Sequence, residues 1–493
     1  MKLFCISHNY HYEIENVVRL FLPFQKILVL KEKEELSGNY LYTEKQEENE
    51  KITLVAKLSY NGNFYEDKKE YFNINETQAE LYLAGMVLEQ FIKEFNFKPN
   101  WGIVTGVRPS KLMASVIEEV GEENAKEHFI NKFLVKPKKA EMAFNVAKME
   151  EKIIKSADGN SFSLYISIPY CPTRCSYCSF VSHSISNEKA RELIPQYVEK
   201  LCEELRITAE IAKKNNLYLK SVYWGGGTPT TLTYEQLDVI LTEIENRFDL
   251  SECIEYTVEA GRPDTITKEK LEILKKHNVN RISINPQTFN NSVLKEIGRQ
   301  HTAEETVEKY SLAREVGFDV INMDLIAGLP TDTVDGFKRS VEKAISLNPE
   351  NITVHTLSLK RSSTIVTEDE KDALDATITS DMVEYANLRL FENGYKPYYM
   401  YRQSKSLGNL ENVGWCKENK ECYYNVYMMG ECQTVLSVGA GSVTKLKEPC
   451  GRQIERVFNF KFPFEYISRF NELVERKDRI NTFFKEYPIK REG

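Results

Sequence analysis

The sequence has 493 residues with a net charge of −8, from 65 basic and 73 acidic side chains, and 42% of its residues are hydrophobic. That length exceeds one ordinary hydrophobic core, so two or three domains are expected. The mixture excludes a disordered or collagen-like chain, and the acidic balance argues against a general nucleic-acid or anionic-membrane binder while leaving room for a local basic pocket.

Met1 to Phe24 carries no cleavable leader pattern, because its apolar stretches are short and Glu13, Glu15 and Arg19 interrupt them. No stretch approaches the roughly 18 apolar residues of a membrane span. A cytoplasmic protein is expected, and there the ten cysteines stay reduced. They then serve as buried apolar residues, metal ligands or redox groups.

Lys26–Lys31 and Ile52–Leu58 read as strands, with the charged stretch Glu44–Lys51 as a loop between them. Thr77–Phe95 places Leu81, Leu83, Ala84, Val87, Leu88, Phe91 and Ile92 at helical spacing. Thr105–Leu112 (TGVRPSKL) follows, with Pro109 suited to a helix start, and a further helix is expected from about Pro137 to Lys155. The turn signal Ala157-Asp158-Gly159-Asn160 closes an N-terminal α+β domain, residues 1–155, to which the residues assign no role.

From about Phe162 the pattern changes to alternating strands and amphipathic helices. Strands are expected at Leu164–Ile168, Ser221–Tyr223, Glu255–Glu259, Asn280–Ile284, Asp319–Leu325 and Asn351–Leu357. The intervening helices are Pro195–Lys213, Tyr234–Phe248, Lys268–His277, Ala303–Val316 and Asp335–Leu347. Such alternation argues for an α/β fold with a parallel sheet over residues 160–370. Six repeats are too few for a closed eight-stranded barrel, so a partial (β/α)6 barrel or an open doubly wound sheet is left. Either puts its ligand site at the carboxyl ends of the strands. After Arg361 the alternation stops. A helix is expected over Asp372–Glu392 with Gly394 as its cap, then a tyrosine-rich stretch and a helix near Phe464–Arg476, making 371–493 a C-terminal covering domain.

Cys171, Cys175 and Cys178 follow directly on the first of the six strands. Three thiolates within eight residues can grip three corners of a cubane cluster, which normally uses four, leaving one iron open. A zinc site with His183 as fourth ligand is the rival, although zinc sites usually pair two short ligand clusters across a longer loop. An exchange pair of Cys175 and Cys178 ignores Cys171. Cys416, Cys422, Cys432 and Cys450 have irregular spacing and read as buried or free thiols.

The second strand ends in Gly225-Gly226-Gly227-Thr228-Pro229-Thr230. Consecutive glycines let backbone approach a ligand; a phosphate loop is excluded by the missing Gly-Lys-Ser/Thr ending and by Pro229. Glu259 ends the third strand, where a carboxylate suits a ribose diol or an ammonium group. Gln287 follows the fourth, Arg299 stands one helix later, and Asp324 lies on the fifth. Singly each reads as a structural polar residue. Jointly they converge on one site.

These motifs resemble the oxygen-independent coproporphyrinogen III oxidase group of radical S-adenosylmethionine (SAM) enzymes over residues 162–450. Thr105–Leu112 and Gly439–Lys445 (GAGSVTK) resemble its coproporphyrinogen dehydrogenase (HemZ) branch, extending the likeness over nearly the whole chain. The resemblance implies a partial radical SAM barrel and a [4Fe-4S] cluster on Cys171, Cys175 and Cys178. It implies SAM held by Tyr165, Gly226, Glu259, Gln287, Arg299 and Asp324, with Tyr177 packed beside the cluster. Gly227 and Thr228 match positions that contact a second SAM in some members. The reaction implied is oxidative decarboxylation of coproporphyrinogen III propionates to vinyls in haem biosynthesis, driven by a donor such as flavodoxin or ferredoxin. Two departures stand out. Phe180 occupies the position of a further cysteine in the oxidases, as in haem-trafficking relatives. Those relatives use a His-Asn…Tyr-Trp motif for haem, where this chain has Glu411-Asn412-Val413-Gly414-Trp415. A haem-transfer protein and a radical SAM enzyme of another tetrapyrrole therefore stay open. For the macrocycle itself, Arg361, Arg402, His301 and His355 are candidate clamps and Tyr398, Tyr399, Tyr423, Tyr424 and Met428 candidate walls, with ordinary packing the better reading for each.

Overall fold

A computed structural model describes residues 1–32, 34–178, 180, 182–358, 376–403 and 406–488. Arg361 and the start of the expected helix at Asp372 lie outside the described residues. The chain forms two compact units, one of Met1–Asn145 with Tyr401–Glu411, the other of Val146–Met400 with Asn412–Gly493.

The first unit is built on a five-stranded sheet. Its strands are β1 (Lys2–Ile6), β2 (Leu28–Leu30), β3 (Tyr40–Glu48), β4 (Lys51–Tyr60) and β5 (Asn63–Phe72), in the order β2-β1-β3-β4-β5. Helices α1 (His11–Arg19) and α2 (Glu76–Phe95) follow β1 and β5. Asn75 and Gln78 close a capping box at the start of α2. The charged stretch expected as a loop is strand instead. The antiparallel ladder runs to the pair Glu48 and Lys51, leaving only Asn49 and Glu50 to turn. Its charges are accommodated by local partners: Glu44 accepts from the Tyr42 hydroxyl at 2.8 Å and Lys45 pairs with Glu76. Then come α3 (Pro109–Val120), with Pro109 at its first turn, α4 (Glu122–Phe133) and α5 (Pro137–Ile154).

The second unit holds the site. In chain order it adds β6 (Ser161–Ile168), β7 (Tyr170–Cys171), β8 (His183–Ser184), α6 (Glu188–Glu192), α7 (Ile194–Lys214), β9 (Tyr218–Gly226), α8 (Tyr234–Arg247), β10 (Glu255–Glu259), α9 (Lys268–Lys276) and β11 (Arg281–Ser283). It continues with α10 (Asn291–Glu296), α11 (Ala303–Val316), β12 (Val320–Ala327), α12 (Val334–Leu347), β13 (Asn351–Thr356), α13 (Ala376–Glu392) and β14 (Lys396–Arg402). Last come β15 (Glu411–Cys416), α14 (Tyr423–Gly430), β16 (Thr434–Val438), β17 (Val443–Lys447), β18 (Ile454–Phe458), α15 (Pro463–Ser468) and α16 (Phe470–Glu486).

All six expected strands of the alternating segment are present as β6 and β9 to β13, joined in parallel with neighbouring strands in chain order. Apolar runs such as Leu164, Ile166 and Ile168 on β6 and Ile321, Met323 and Leu325 on β12 are buried, as parallel strands covered by helices require. Capping boxes start α8 (Thr233 and Gln236) and α11 (Thr302 and Glu305). The segment expected to cover the barrel contributes both flanks of the sheet. β15 pairs antiparallel with β13, and β16 pairs parallel with β6. Thr434–Val438 is buried throughout, so it reads as an interior strand. The result is an α/β fold with an open, partial-barrel sheet whose parallel strand ends all point the same way. No helix among the described residues is long and apolar enough to cross a membrane.

Candidate active site at the carboxyl ends of the parallel strands

Cys171 leaves β6 through the short strand β7, and the loop that follows is fastened to the segment before Arg299. Ser176 N–H donates to the Ile297 carbonyl at 3.1 Å and Thr173 Oγ1 to the Gly298 carbonyl at 3.0 Å. None of the three cysteines is in a disulfide. Burial raises the Cys171 and Cys178 thiols above their ordinary range. Cys171 Sγ lies 3.4 Å from Thr228 Oγ1.

The glycine loop also packs against the protein's own backbone. Gly227 N–H donates to the Ile168 carbonyl at 2.7 Å and Thr228 N–H to the Tyr170 carbonyl at 2.8 Å. Gly226 adopts a φ of +100°, and a Cβ on Gly227 would sit 2.6 Å from the Tyr170 oxygen. The glycines let this loop lie directly on the segment that presents Cys171. Both amides are committed inside the protein, so any contact of Gly227 or Thr228 with a ligand would use their other atoms. Gly225 faces the other way, toward Tyr165 and Glu259.

Four strand ends gather the remaining groups. Tyr165 of β6 stacks near Tyr223 of β9 and Tyr424 of α14, with centroid separations of 6.3 and 6.0 Å. Tyr223 donates to Glu259 Oε1 at 2.6 Å. Burial holds the Glu259 carboxyl up at about 7, with Asp324 adding to the rise and Tyr223 and His355 opposing it. Desolvation also pushes up the part-buried Asp324, but His355, 3.6 Å away, and Asn322, at 2.8 Å, bring its carboxyl below the usual range. The two acids differ because only Asp324 has a close potential cation.

Gln287 carries a φ of +65°. Its N–H donates to the Asp324 carbonyl and its own carbonyl accepts from Ile326, both at 2.9 Å. This β-like clasp to β12 holds a left-handed residue at the strand end. Its Oε1 is buried without a partner, as is Asn285 Oδ1. Arg299 donates to the carbonyls of Gly261 (3.1 Å) and Asn285 (3.2 Å) and to the Tyr177 hydroxyl (3.0 Å), while its Nε is unpartnered. The predicted residues thus fall into two connected sets: Tyr165 with Glu259 and Asp324 around the barrel mouth, and Tyr177 with Arg299 behind the cysteine loop. Gln287 is tied to the first set through β12.

Several residues join the site that the motif reading did not single out. Arg262 reaches Cys175 Sγ at 3.6 Å. Tyr223 bonds Glu259 and stacks at 4.2 Å on Tyr424, which the sequence offers as a candidate wall. Arg262 lies in the turn Gly261-Arg262-Pro263-Asp264 directly after Glu259, and that placement is its only sequence signal. Other candidates are occupied elsewhere. Arg402 donates to the Val104 and Gly106 carbonyls, and Tyr399 packs against Gly414; His301, by contrast, is buried 3.8 Å from Asp264, the partner of Arg262. Cys422 donates to Glu255.

A three-thiolate cubane places each sulfur on a different iron, so its ligands do not converge on one point. Among the described residues no three His, Cys, Asp or Glu side chains converge as ligands of a single ion do. The donor set suits the larger group: three thiols free of disulfides, with unpartnered buried polar atoms on Asn285, Gln287 and Arg299 nearby along the strand ends.

Residues 165–344 match the Radical SAM superfamily. The chain is 34% identical over 478 residues to the oxygen-independent coproporphyrinogen-III oxidase-like protein HemZ of Bacillus subtilis, spanning 95% of this chain and 94% of that protein. It is 30% identical over 333 residues to the heme chaperone HemW of Haemophilus influenzae, 65% of this chain and 81% of that one. Among solved structures, coproporphyrinogen III oxidase (HemN) from Escherichia coli, a radical SAM enzyme, superposes with a TM-score of 0.52 at 22% identity, covering 66% of this chain and 73% of that one. That likeness speaks for the fold.

Proposed function

Since this chain belongs to the family of HemZ-like radical SAM proteins, we propose that it binds a [4Fe-4S] cluster through Cys171, Cys175 and Cys178 and SAM along the adjoining strand ends, and that it oxidatively decarboxylates the propionates of coproporphyrinogen III. When bound, cluster and SAM together supply a one-electron cleavage that yields methionine and a 5′-deoxyadenosyl radical. The protein's part is to hold, orient and shield. Glu259 and Asp324 offer two carboxylates to the ammonium and ribose of SAM, and Gln287 Oε1, which lacks a partner inside the protein, offers an acceptor beside them. Arg299 and Tyr177 brace the cysteine loop from behind. The stack of Tyr165, Tyr223 and Tyr424 keeps water out from below. Each turnover passes one hydrogen atom of a propionate to the 5′-deoxyadenosyl radical, releases carbon dioxide, hands one electron to an external one-electron acceptor and leaves a vinyl group; two rounds give protoporphyrinogen IX. A flavodoxin or ferredoxin is the expected source of the electron that starts each round.

The observation that carries this reading is the set of unpartnered buried polar atoms on Asn285, Gln287 and Arg299 at the strand ends, with Arg299 bonded to Tyr177 inside the loop of three cysteines free of disulfides. A haem-transfer role is the second reading, because Phe180, 62% exposed, stands where the oxidases have a further cysteine. The segment that would correspond to the haem motif of such relatives offers it little support. Glu411, at the position of the histidine, is fully buried and bound to Lys139 at 2.6 Å and Trp101 at 2.7 Å, and Trp415 is buried.

The test is anaerobic. Reconstituted protein with SAM, a reductant and coproporphyrinogen III should give 5′-deoxyadenosine and vinyl products, and single Ala replacements of Cys171, Cys175 or Cys178 should abolish both the brown colour and SAM cleavage. If 5′-deoxyadenosine forms while the porphyrinogen is untouched, a radical SAM enzyme of another tetrapyrrole is the better reading. Tight haem binding without turnover would establish the transfer role. A colourless, zinc-containing anaerobic preparation would overturn the cluster itself.

A further inference from the structure

Arg262 is buried, with 3% of its surface exposed, in the turn that follows β10. One edge of its guanidinium grips Asp264 in a fork, Nε to Oδ1 at 3.0 Å and Nη2 to Oδ2 at 2.9 Å. That leaves Nη1 directed at the cysteine loop, where it donates to Thr173 Oγ1 at 3.1 Å and to Cys175 Sγ at 3.6 Å. Thr173 is itself tied to the Gly298 carbonyl, so both ends of the contact are fixed. A guanidinium is cationic at any working pH. Burying one is costly unless its charge is used. Asp264 offsets part of that charge, and the remaining N–H points at sulfur.

We propose that Arg262 sets the reduction potential of the cluster held by the cysteine loop, through a charged N–H···S hydrogen bond to Cys175 whose strength Asp264 moderates. The inference rests on the reading of Cys171, Cys175 and Cys178 as cluster ligands. Reduction adds one electron, from the donor, to a cluster that three thiolates already make anionic, and no bond is broken. Negative charge on the ligand sulfurs grows in that step. A buried cation bonded to one of them stabilises the reduced state more than the oxidised state and raises the potential. Asp264 opposes this, since its carboxylate lowers the net positive charge near Cys175. It also holds the guanidinium in the orientation that aims Nη1 at sulfur. Arg262 acts through Cys175 and is a positioning residue.

The opposing signs make the test. Full-length parent, R262Q, R262K and D264N are reconstituted anaerobically, their iron and sulfide contents measured, and the clusters titrated potentiometrically without SAM, with the reduced signal followed by electron paramagnetic resonance. R262Q should shift the potential to a more negative value and D264N to a more positive one, with R262K between parent and R262Q. A purely structural brace would loosen the loop in both cases and produce no such divergence. A cluster-loaded R262Q that titrates with the parent, or R262Q and D264N shifting in the same direction, overturns the inference. Should R262Q hold no cluster, D264N, which keeps the cation, decides: a positive shift supports it, and no shift or a negative one overturns it. A parent protein that takes up no iron and sulfide sinks the cluster reading, and the inference with it.

Discussion

The Tyr223 hydroxyl donates to Glu259 Oε1 at 2.6 Å, tying an acid at the mouth of the site to the aromatic stack below. Burial nevertheless dominates and leaves Glu259 titrating at about 7 against an ordinary 4.5. A carboxyl raised in this way keeps its proton in the folded state over the window between those values. Its stabilising effect is therefore complete below about pH 4.5 and is lost as the pH rises through about 7. E259Q removes the dependence. In urea unfolding of the ligand-free protein, E259Q should gain on the parent by about 2 kcal/mol between pH 5 and pH 8. Parallel pH profiles for the two would show that Glu259 is ionised throughout. In the parent, SAM affinity measured by equilibrium dialysis should rise across the same window, because the ionised acid binds the ammonium better.

Gln287 holds a left-handed backbone that glycine adopts without strain, at a cost of about 1 kcal/mol. Its side chain contributes an acceptor that the fold itself does not use. Q287G should thus leave ligand-free stability unchanged or slightly raised, within about 1 kcal/mol, while weakening SAM binding roughly tenfold or more, as expected for a lost buried hydrogen bond of about 1.4 kcal/mol. Thermal melts and SAM titrations read the two effects separately. A marked loss of stability with unchanged SAM affinity would make Gln287 a structural residue only.

The glycines of the second strand end should not be equivalent. A Cβ on Gly227 would meet only backbone: the Tyr170 oxygen at 2.6 Å, and the Ile168 oxygen and Tyr170 nitrogen at 2.9 Å. G227A is expected to cost about 2–3 kcal/mol and to displace Cys171, lowering iron content after reconstitution. At Gly225 the nearest atoms are side chains, Tyr165 at 3.1 Å and Glu259 at 3.4 Å. G225A should keep its iron and lose SAM affinity instead. Equal iron loss in both variants would contradict this division.

In the first unit, Glu411 and Lys139 form a pair with 0% and 1% side-chain exposure. E411A strands the ammonium in the interior and should destabilise the protein by about 3–5 kcal/mol, with much of that recovered in a K139M/E411L double variant. Haem affinity, followed by its absorption band, should be the same in the parent and in the double variant, since Glu411 is committed to the fold. A loss of haem binding on replacing Glu411 would revive the transfer reading.

Much of the fold was legible because its signals are local. The six parallel strands β6 and β9 to β13 and the helices α7, α8, α9, α11 and α12 between them follow from apolar periodicity and side-chain caps such as Thr233 and Thr302. The stretch Glu44–Lys51 reads as a loop in the sequence because its charges find partners within the sheet and on α2, a hydrogen bond from Tyr42 to Glu44 and ion pairs of Lys45 with Glu76 and Lys51 with Glu70, which composition does not reveal. The role of the GGGTPT loop was only partly visible. Glycine signals close approach, but not whether ligand or backbone approaches.

By itself the sequence determined the spacing of Cys171, Cys175 and Cys178, the alternating pattern around them, and the polar residues at successive strand ends. Each depends on near neighbours in the chain, which periodicity and turn chemistry encode directly. Only the tertiary structure decided that Arg262 meets Cys175, that Tyr424 closes on Tyr223 from a helix some two hundred residues away, and that Glu411 is locked to Lys139. These are long-range pairings. Burial and electrostatics act on distances in space, and no local pattern records which distant partner completes a buried charge.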